Sequence, residues 1–334
     1  MTEAAAPKTE AAAPKKAKPA EKAPPPPIEG PVSGLEKILK AGGFAVTAEL
    51  GPPKGLDLEA IRKKVEILKG WVDAANVTDN QTAVVRVSSI ATAAILVQQG
   101  LEPVMQMVAR DRNRIAIQSD MLGATALGIR NVLCLSGDHQ TFGSEPGAAN
   151  VYDVDSIQML MILKGMRDDA KFAGGTDVEG GRPPLFLGAA WSPDADPAAV
   201  RTLRLAKKVQ AGAQFVQTQC IFDLAAFKLE MKKAGDMGLL DKLAVLPGII
   251  PLKSAGMAKF MRKNVAGVSI PEEIVKRMEG NKDGKEEGTK IAVESIQAVR
   301  EIPGVRGVHI MAIEWESKVA DIVARAGLKK GPGA

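Results

Sequence analysis

Eight short apolar runs recur along the chain, and each is followed by a segment whose apolar residues fall at helical spacing. The strand-like runs span 44–50, 74–79, 103–109, 131–136, 184–191, 214–220, 244–250 and 306–313. Helical patterns occupy 57–69, 87–99, 112–127, 155–169, 196–211, 223–238, 254–264 with 271–300, and 316–326. Run length, flanking glycine or proline, and period separate the two kinds of segment. Leu58, Ile61, Val65 and Leu68 make the stripe of an amphipathic helix that covers a sheet, and Val200, Leu203 and Val209 repeat it within 196–211. Strict alternation of strand and helix implies parallel pairing. The count of eight favours an α/β fold closed as a (β/α)8 TIM barrel over an open doubly wound sheet. The glycines after the first strand read GPPKG rather than GxGxxG, which argues against a Rossmann domain.

Five of the apolar runs lead into polar residues able to do chemistry: Glu49 in TAEL, Thr78 and Asp79 in NVTD, Asp111 in MQMVARD, Asp138 in NVLCLSGD, and Gln219 in FVQTQ. An acid at the end of a buried strand either caps the next helix or faces a ligand, because its charge is costly to bury alone. In a barrel these endings converge on the C-terminal mouth. Asp111, within RDRNR, reads as the cap of a helix beginning near Asn113. The residues alone leave Glu49 open as a solvated loop carboxylate, Asp138 as a turn cap and Gln219 as a core amide. The connection from Asp138 to Val154 contains HQTFGSEPGAAN and is long enough to cover a ligand, whereas the glycine-rich 170–183 reads as a mobile connection.

With 46% hydrophobic and 25% charged residues, the 334-residue chain has an ordinary soluble globular balance. No apolar run approaches the roughly 20 residues that span a bilayer, and no apolar segment follows the early lysines, so a cytoplasmic protein without membrane insertion is expected. The two cysteines, Cys134 and Cys220, lie inside apolar runs and read as buried small hydrophobes rather than a disulfide or metal pair. The net charge of +5 is spread among alternating signs and aromatics are only 4%, which argues against nucleic-acid binding. Residues 1–30 repeat Ala, Pro, Lys and Glu, with TEAAAPK at 2–8 and again at 9–15, and read as a disordered tail serving as a linker. One barrel domain is left at 31–334.

Longer stretches are more specific: AELGPPKG at 48–55, RDRNRIAIQSDMLGATALGIRNVLCLSGDH at 110–139, KKVQAGAQFVQTQCIFD at 207–223 and LPGIIPL at 246–252. From about 44 to 328 the chain resembles the methylenetetrahydrofolate reductase family in its short, bacterial, catalytic-domain form. The resemblance implies a (β/α)8 barrel that binds a flavin at its C-terminal mouth. It also implies reduction of 5,10-methylenetetrahydrofolate to 5-methyltetrahydrofolate by hydride transfer from the reduced flavin. On that resemblance Glu49 is the acid that opens the five-membered folate ring. Asp138 is the anion beside both the flavin and the folate iminium, and Gln219 binds the pterin. Thr78, Ala109, Leu135, Ser136, Gly137, Asp138, Tyr152 and Lys208 match flavin-contacting positions, with Lys208 on the phosphate side.

Departures from the family pattern carry information too. Gln106 stands where histidine is frequent, and Arg201 and Arg204 replace acidic or amide residues. These departures count against FAD as opposed to FMN, yet FAD remains the expectation with FMN left open, and the two arginines read either as a phosphate clamp or as decoration of a helix. Ala255 and Trp315 stand where some members place phenylalanine and arginine. Two electron donors follow, NAD(P)H or an iron–sulfur partner protein, and an oligomer or hetero-complex is expected. Two other readings compete: a non-catalytic flavin- or folate-binding subunit of a redox complex, and a sugar-phosphate aldolase or isomerase using Lys253. The second would want a glycine run that LPGIIPLKS lacks.

Overall fold

The computed structural model describes residues 25–328. Eight parallel strands close a barrel in sequence order: β1 (Ala45–Leu50), β2 (Ala74–Val77), β3 (Pro103–Val108), β4 (Asn131–Leu135), β5 (Phe186–Trp191), β6 (Phe215–Cys220), β7 (Ala244–Ile249) and β8 (Gly307–Ile310). β8 pairs back onto β1, with Ala45 beside Gly307 and Ala48 beside Ile310. The helices are α1 (Gly34–Lys40), α2 (Leu58–Leu68), α3 (Ser89–Gln98), α4 (Arg114–Ala126), α5 (Ser156–Asp169), α6 (Arg201–Ala211), α7 (Leu224–Asp236), α8 (Ala255–Asn264), α9 (Glu272–Gly280), α10 (Gly284–Arg300) and α11 (Val319–Arg325). The expected TIM barrel is therefore the observed fold. None of the helices described is long and apolar enough to cross a membrane.

The barrel interior is layered because alternate strand residues face the axis. At the N-terminal end Ala45, Ala74, Val104, Leu133, Phe186, Phe215 and Leu246 pack with Leu35 and Leu39 of α1, which plugs the opening. The Phe186 and Phe215 rings stack with centroids 4.9 Å apart. A Cβ on Gly188 would lie 2.2 Å from the Phe215 ring, so β5 needs glycine at that point. One layer up the interior turns polar. Gln217 Nε2 donates to Asn76 Oδ1 (2.9 Å) and Thr47 Oγ1 (3.1 Å), Asn76 Nδ2 donates back to Gln217 Oε1 (2.5 Å), and Thr47 Oγ1 meets His309 Nδ1 at 3.0 Å. A buried polar network is tolerated when its members satisfy one another. Burial pushes the His309 imidazole down to about 3, so it is held neutral.

Outside the barrel, helices bury their inner faces against the strands. Ile61, Val65 and Leu68 of α2 are fully buried as their spacing predicts, each worth about 1.5–3 kcal/mol, while Leu58 stays partly exposed. The expected stripe of 196–211 is not the observed one. Thr202 and Leu205 of α6 face inward and Leu203 is exposed. The inner face was disguised by polar residues with work to do: Thr202 Oγ1 donates to Glu230 Oε2 at 2.7 Å, and Lys208 reaches inward to the carbonyl of Ala190. α1 was not expected either. Its start is fixed by the Ser33 N-cap and by Glu102, whose carboxylate accepts from Gly34 N (2.7 Å) and Leu35 N (2.9 Å).

Of the tail expected over 1–30, residues 1–24 lie outside the described residues. Residues 25–30 run without helix or strand, and Arg182 Nε donates to Pro25 O at 2.8 Å. The connection 170–183 joins α5 to β5 at the end opposite the mouth. It is tied by Phe172 N to Thr176 O (2.9 Å) and Val178 N to Ala170 O (2.7 Å), so the expected mobile segment is a bonded turn.

Candidate functional site at the barrel mouth

The polar endings are not equivalent. Glu49 and Gln219 lie within β1 and β6, whereas Thr78, Asp79, Asp111 and Asp138 fall beyond the last residues of β2, β3 and β4. Glu49 is 8% exposed, and its carboxyl is pushed up to about 7, first by burial and then by Glu316, against the lowering effects of a hydrogen bond from Gln81 and of Lys64 and Arg86. Gln81 Nε2 donates to Glu49 Oε1 at 3.1 Å. Glu316, also buried, is paired with Lys64 at 2.5 Å. Gln219 bonds only within its own strand, Oε1 accepting from Cys220 N at 3.0 Å and from Cys220 Sγ at 3.4 Å, which leaves its amide N–H groups without a protein partner among the described residues. It is therefore not a core amide bridging strands.

Asp138 is exposed. Its Oδ2 accepts from Thr82 N at 3.2 Å, and its backbone carbonyl accepts from Arg110 Nη1 at 3.0 Å, so it caps no helix. Asp79, by contrast, is spent on structure: it accepts from Val108 N (3.0 Å) and pairs with Arg112 at 2.6 Å. Asp111 corrects its expected role. The cap of α4 is Asn113, which accepts from Ile115 N and Ala116 N, while Asp111 pairs with Arg110 at 2.7 Å and accepts from Asn80 Nδ2 at 3.3 Å. An asparagine at the residue before the helix reaches its first free N–H groups, and a side chain two residues earlier does not.

The expected flavin positions gather on the β2, β3, β4 and β5 side of the mouth. Thr78 is 1% exposed, and its Oγ1 is buried with no hydrogen-bond partner. Such an orphan hydroxyl is costly unless a ligand satisfies it. Ala109 is buried, and the next residue, Arg110, donates its N–H to Ser136 O at 3.0 Å. Gly137 has φ +90°, and a Cβ there would meet Val108 and Arg110 at 3.0 to 3.3 Å, so the backbone after Leu135 can turn here only as glycine. Tyr152 Oη donates to Gly137 O at 3.2 Å, which ties the far end of the 138–154 connection back to its start. Ser136 Oγ accepts from Ser156 N at 3.3 Å.

Lys208 is not a solvated helix lysine. Burial, and then Arg204 close by, bring its ammonium down to about 8, while Asp155 and Cys134 act to raise it. A half-buried amine beside an arginine, with only a backbone carbonyl to hold it, fits an anionic ligand such as a phosphate. Arg201 does not join a clamp: its guanidinium donates to the carbonyls of Ala195 (2.5 Å) and Asp194 (3.0 Å) and holds the loop after β5. Cys134 and Cys220 are buried free thiols, each pushed up to about 12 by burial, and no metal-binding cluster occurs among the described residues.

Two residues that organise the mouth escaped the sequence reading. Arg110 is 3% exposed and donates to Asn80 O, Asp111 and Asp138 O, linking the loops after β2, β3 and β4. Gln81 touches Glu49. Neither lies in a periodic pattern; the one sequence signal was Arg110 opening the RDRNR stretch.

The family model for methylenetetrahydrofolate reductase matches residues 34–327, which takes in every strand and helix among the described residues and both ends of the barrel. The chain belongs to this family. The reductase family is generally flavin-dependent, and the unsatisfied Thr78 hydroxyl, the Gly137 turn and the Lys208 amine suit such a cofactor. Among relatives, a probable methylenetetrahydrofolate reductase (NADPH) of Caenorhabditis elegans is 24% identical over 78% of this chain and 37% of its own length. The 5,10-methylenetetrahydrofolate reductase of Escherichia coli K12 is 24% identical over 61% of this chain and 63% of its own. The chain thus spans less than two thirds of each of these reductases. A Clostridium thermocellum protein described as binding two copies of 5-methyl-5,6,7,8-tetrahydrofolic acid shares the fold, with a TM-score of 0.61 at 15% identity over 88% of this chain and 98% of that one.

Proposed function

We propose that this reductase-family chain converts 5,10-methylenetetrahydrofolate to 5-methyltetrahydrofolate in cytoplasmic one-carbon metabolism, with a flavin held by Thr78, Ala109, the 135–138 backbone, Tyr152 and Lys208. The observation that carries the reading is Glu49, a carboxyl that burial at the mouth keeps protonated to about pH 7. An acid poised near the working pH is suited to give its proton to folate N10, which expels that nitrogen and opens the five-membered ring. The Asp138 carboxylate, held open at the mouth by Thr82, stabilises the cationic iminium that results. The unpartnered amide N–H groups of Gln219 supply donors to the pterin edge. A bound flavin supplies the hydride. Lys208 and Arg204 would hold its phosphate end, and FAD is preferred over FMN.

Absorbance of the purified protein tests the cofactor, since flavin bands should be present and flavin-free preparations should recover them on reconstitution. Glu49→Gln should keep flavin binding and flavin reduction yet lower folate reduction by on the order of 10²–10⁴-fold. Loss of flavin reduction as well would remove Glu49 from the folate step. Wild-type protein that binds flavin and turns over no folate would favour a non-catalytic subunit. The aldolase reading has less support, because LPGIIPLKS lacks the glycine run and Lys253 Nζ is turned to Ile313 O at 2.8 Å.

A further inference from the structure

We propose that Gln81 is a positioning residue for Glu49, and that Gln81 and Thr82 form a clamp that holds Glu49 and Asp138 in register across the mouth. The inference rests on the reading of Glu49 as the proton donor. Glu49 comes from β1 and Asp138 from beyond β4, so neither strand sets the separation of the two carboxyl groups. Two consecutive residues do. The Gln81 amide donates to Glu49 Oε1 at 3.1 Å, and the Thr82 backbone N–H donates to Asp138 Oδ2 at 3.2 Å. Their α-carbons are about 3.8 Å apart, as in any trans peptide, so each carboxyl is tied to the same short piece of backbone.

That backbone is held in an unfavourable shape. Asn80, Thr82 and Ala83 have φ of 44°, 55° and 56°, a left-handed region that non-glycine residues avoid and a β-branched threonine avoids most. The surroundings enforce it. Asn80 Oδ1 accepts from Arg86 N (3.1 Å), Asn80 O accepts from Arg110 Nη2 (3.3 Å), and Ala83 O accepts from Ser144 N (3.3 Å). A Cβ on Gly143 would lie 1.8 Å from Ala83 O, so the connection after β4 presses directly on this turn. Strain kept by so many bonds, next to two carboxyl groups, is the mark of a device that fixes geometry.

The clamp also selects an oxygen. An N–H donor on Oε1 occupies its lone pair and leaves the acidic proton to Oε2, which has no protein partner among the described residues. The other charged or titratable groups around Glu49 are Lys64 from α2, Arg86 from the loop after β2, Glu316 after β8 and the Cys220 thiol of β6. Lys64 and Glu316 are paired with each other, and none of the four hydrogen-bonds to Glu49.

The test follows the protonated Glu49 carboxyl directly, as the infrared C=O band present in flavin-loaded wild type and missing from Glu49→Gln, titrated with pH. Gln81→Met keeps the length and removes the donor, so the band should persist to higher pH by roughly one pH unit, the size of one lost hydrogen bond to a charged group. Gln81→Asn, one methylene shorter, should move it the same way if the first variant folds poorly. Thr82→Gly keeps its N–H but frees the strained turn, so the midpoint should move in the same direction by a smaller amount, and an unmoved midpoint in a folded variant would remove the strained turn from the clamp. The alkaline limb of kcat/KM for folate, where the proton donor is lost, should follow the band. A Gln81→Met or Gln81→Asn variant with wild-type thermal unfolding and an unmoved midpoint would overturn the clamp. A shifted band in a protein that reduces no folate would remove the enzymatic reading and leave the clamp standing.

Discussion

On the proposed reading, Glu49 links stability to chemistry through one proton. Its folded carboxyl is raised from 4.5 to about 7, so between those pH values the unfolded chain releases a proton that the folded chain keeps. Stability from this group is complete below pH 4.5 and is lost as pH rises through about 7, a difference on the order of 3 kcal/mol. Glu49→Gln should therefore be more stable than wild type in urea unfolding at pH 8, and the advantage should disappear near pH 4. A residue kept at such a cost has a use in its ionisable form, which agrees with the proposed proton transfer. Lys208 runs the other way. Its amine is lowered to about 8, so above that pH it is neutral until a phosphate restores its charge. Flavin affinity, followed by fluorescence quenching, should weaken as pH rises past about 8. Lys208→Met should lose about 10- to 100-fold in affinity and lack that pH dependence.

The elements divide between those legible from pattern and those set by contacts. All eight strands were visible as apolar runs, because strands buried on both faces are apolar throughout. Their ends were less visible: Thr78 and Asp138 were read as strand endings and lie in the loops beyond. The stripe of α6 was misread because Thr202 and Lys208 spend polar groups on its inner face. α1 was missed although Ser33 caps it locally, because it is only seven residues long and its start also leans on Glu102, 68 positions from Gly34. β5 carries a sharper constraint. Gly188→Ala would place a Cβ 2.2 Å from a Phe215 ring already stacked on Phe186, with no room to retreat. The variant should lose about 2–3 kcal/mol in denaturant unfolding, although alanine is the mildest possible addition.

At the scale of the whole molecule the two ends of the barrel do different jobs. The N-terminal end is an apolar plug closed by α1, a polar layer around Gln217 and His309 follows, and the ionisable groups stand at the C-terminal mouth. Burial therefore falls and chemistry rises along one axis, as barrel enzymes require. We propose that electrons enter at that mouth and that, because Ala255 offers no aromatic platform for a nicotinamide, an iron–sulfur partner rather than NAD(P)H is the donor. On rapid mixing of flavin-loaded protein with saturating NADH, the flavin should stay oxidised. Prompt bleaching would establish direct reduction and exclude a compulsory partner.

The sequence by itself determined the period, the number of units and the family, because these depend on which residues must leave water and on long matched stretches. It also nominated Glu49, Asp138, Gln219 and Lys208. What only the tertiary structure decided was the division of labour among the polar residues. Asp79 and Arg201 brace loops, Asn113 rather than Asp111 caps α4, and Gln81 with Thr82 bonds two carboxyl groups, one from β1 and one from the loop after β4. Hydrophobic burial repeats along a chain and can be read from it. A hydrogen bond between loops has no period, and its partners are fixed only once the barrel closes and brings the strand ends together.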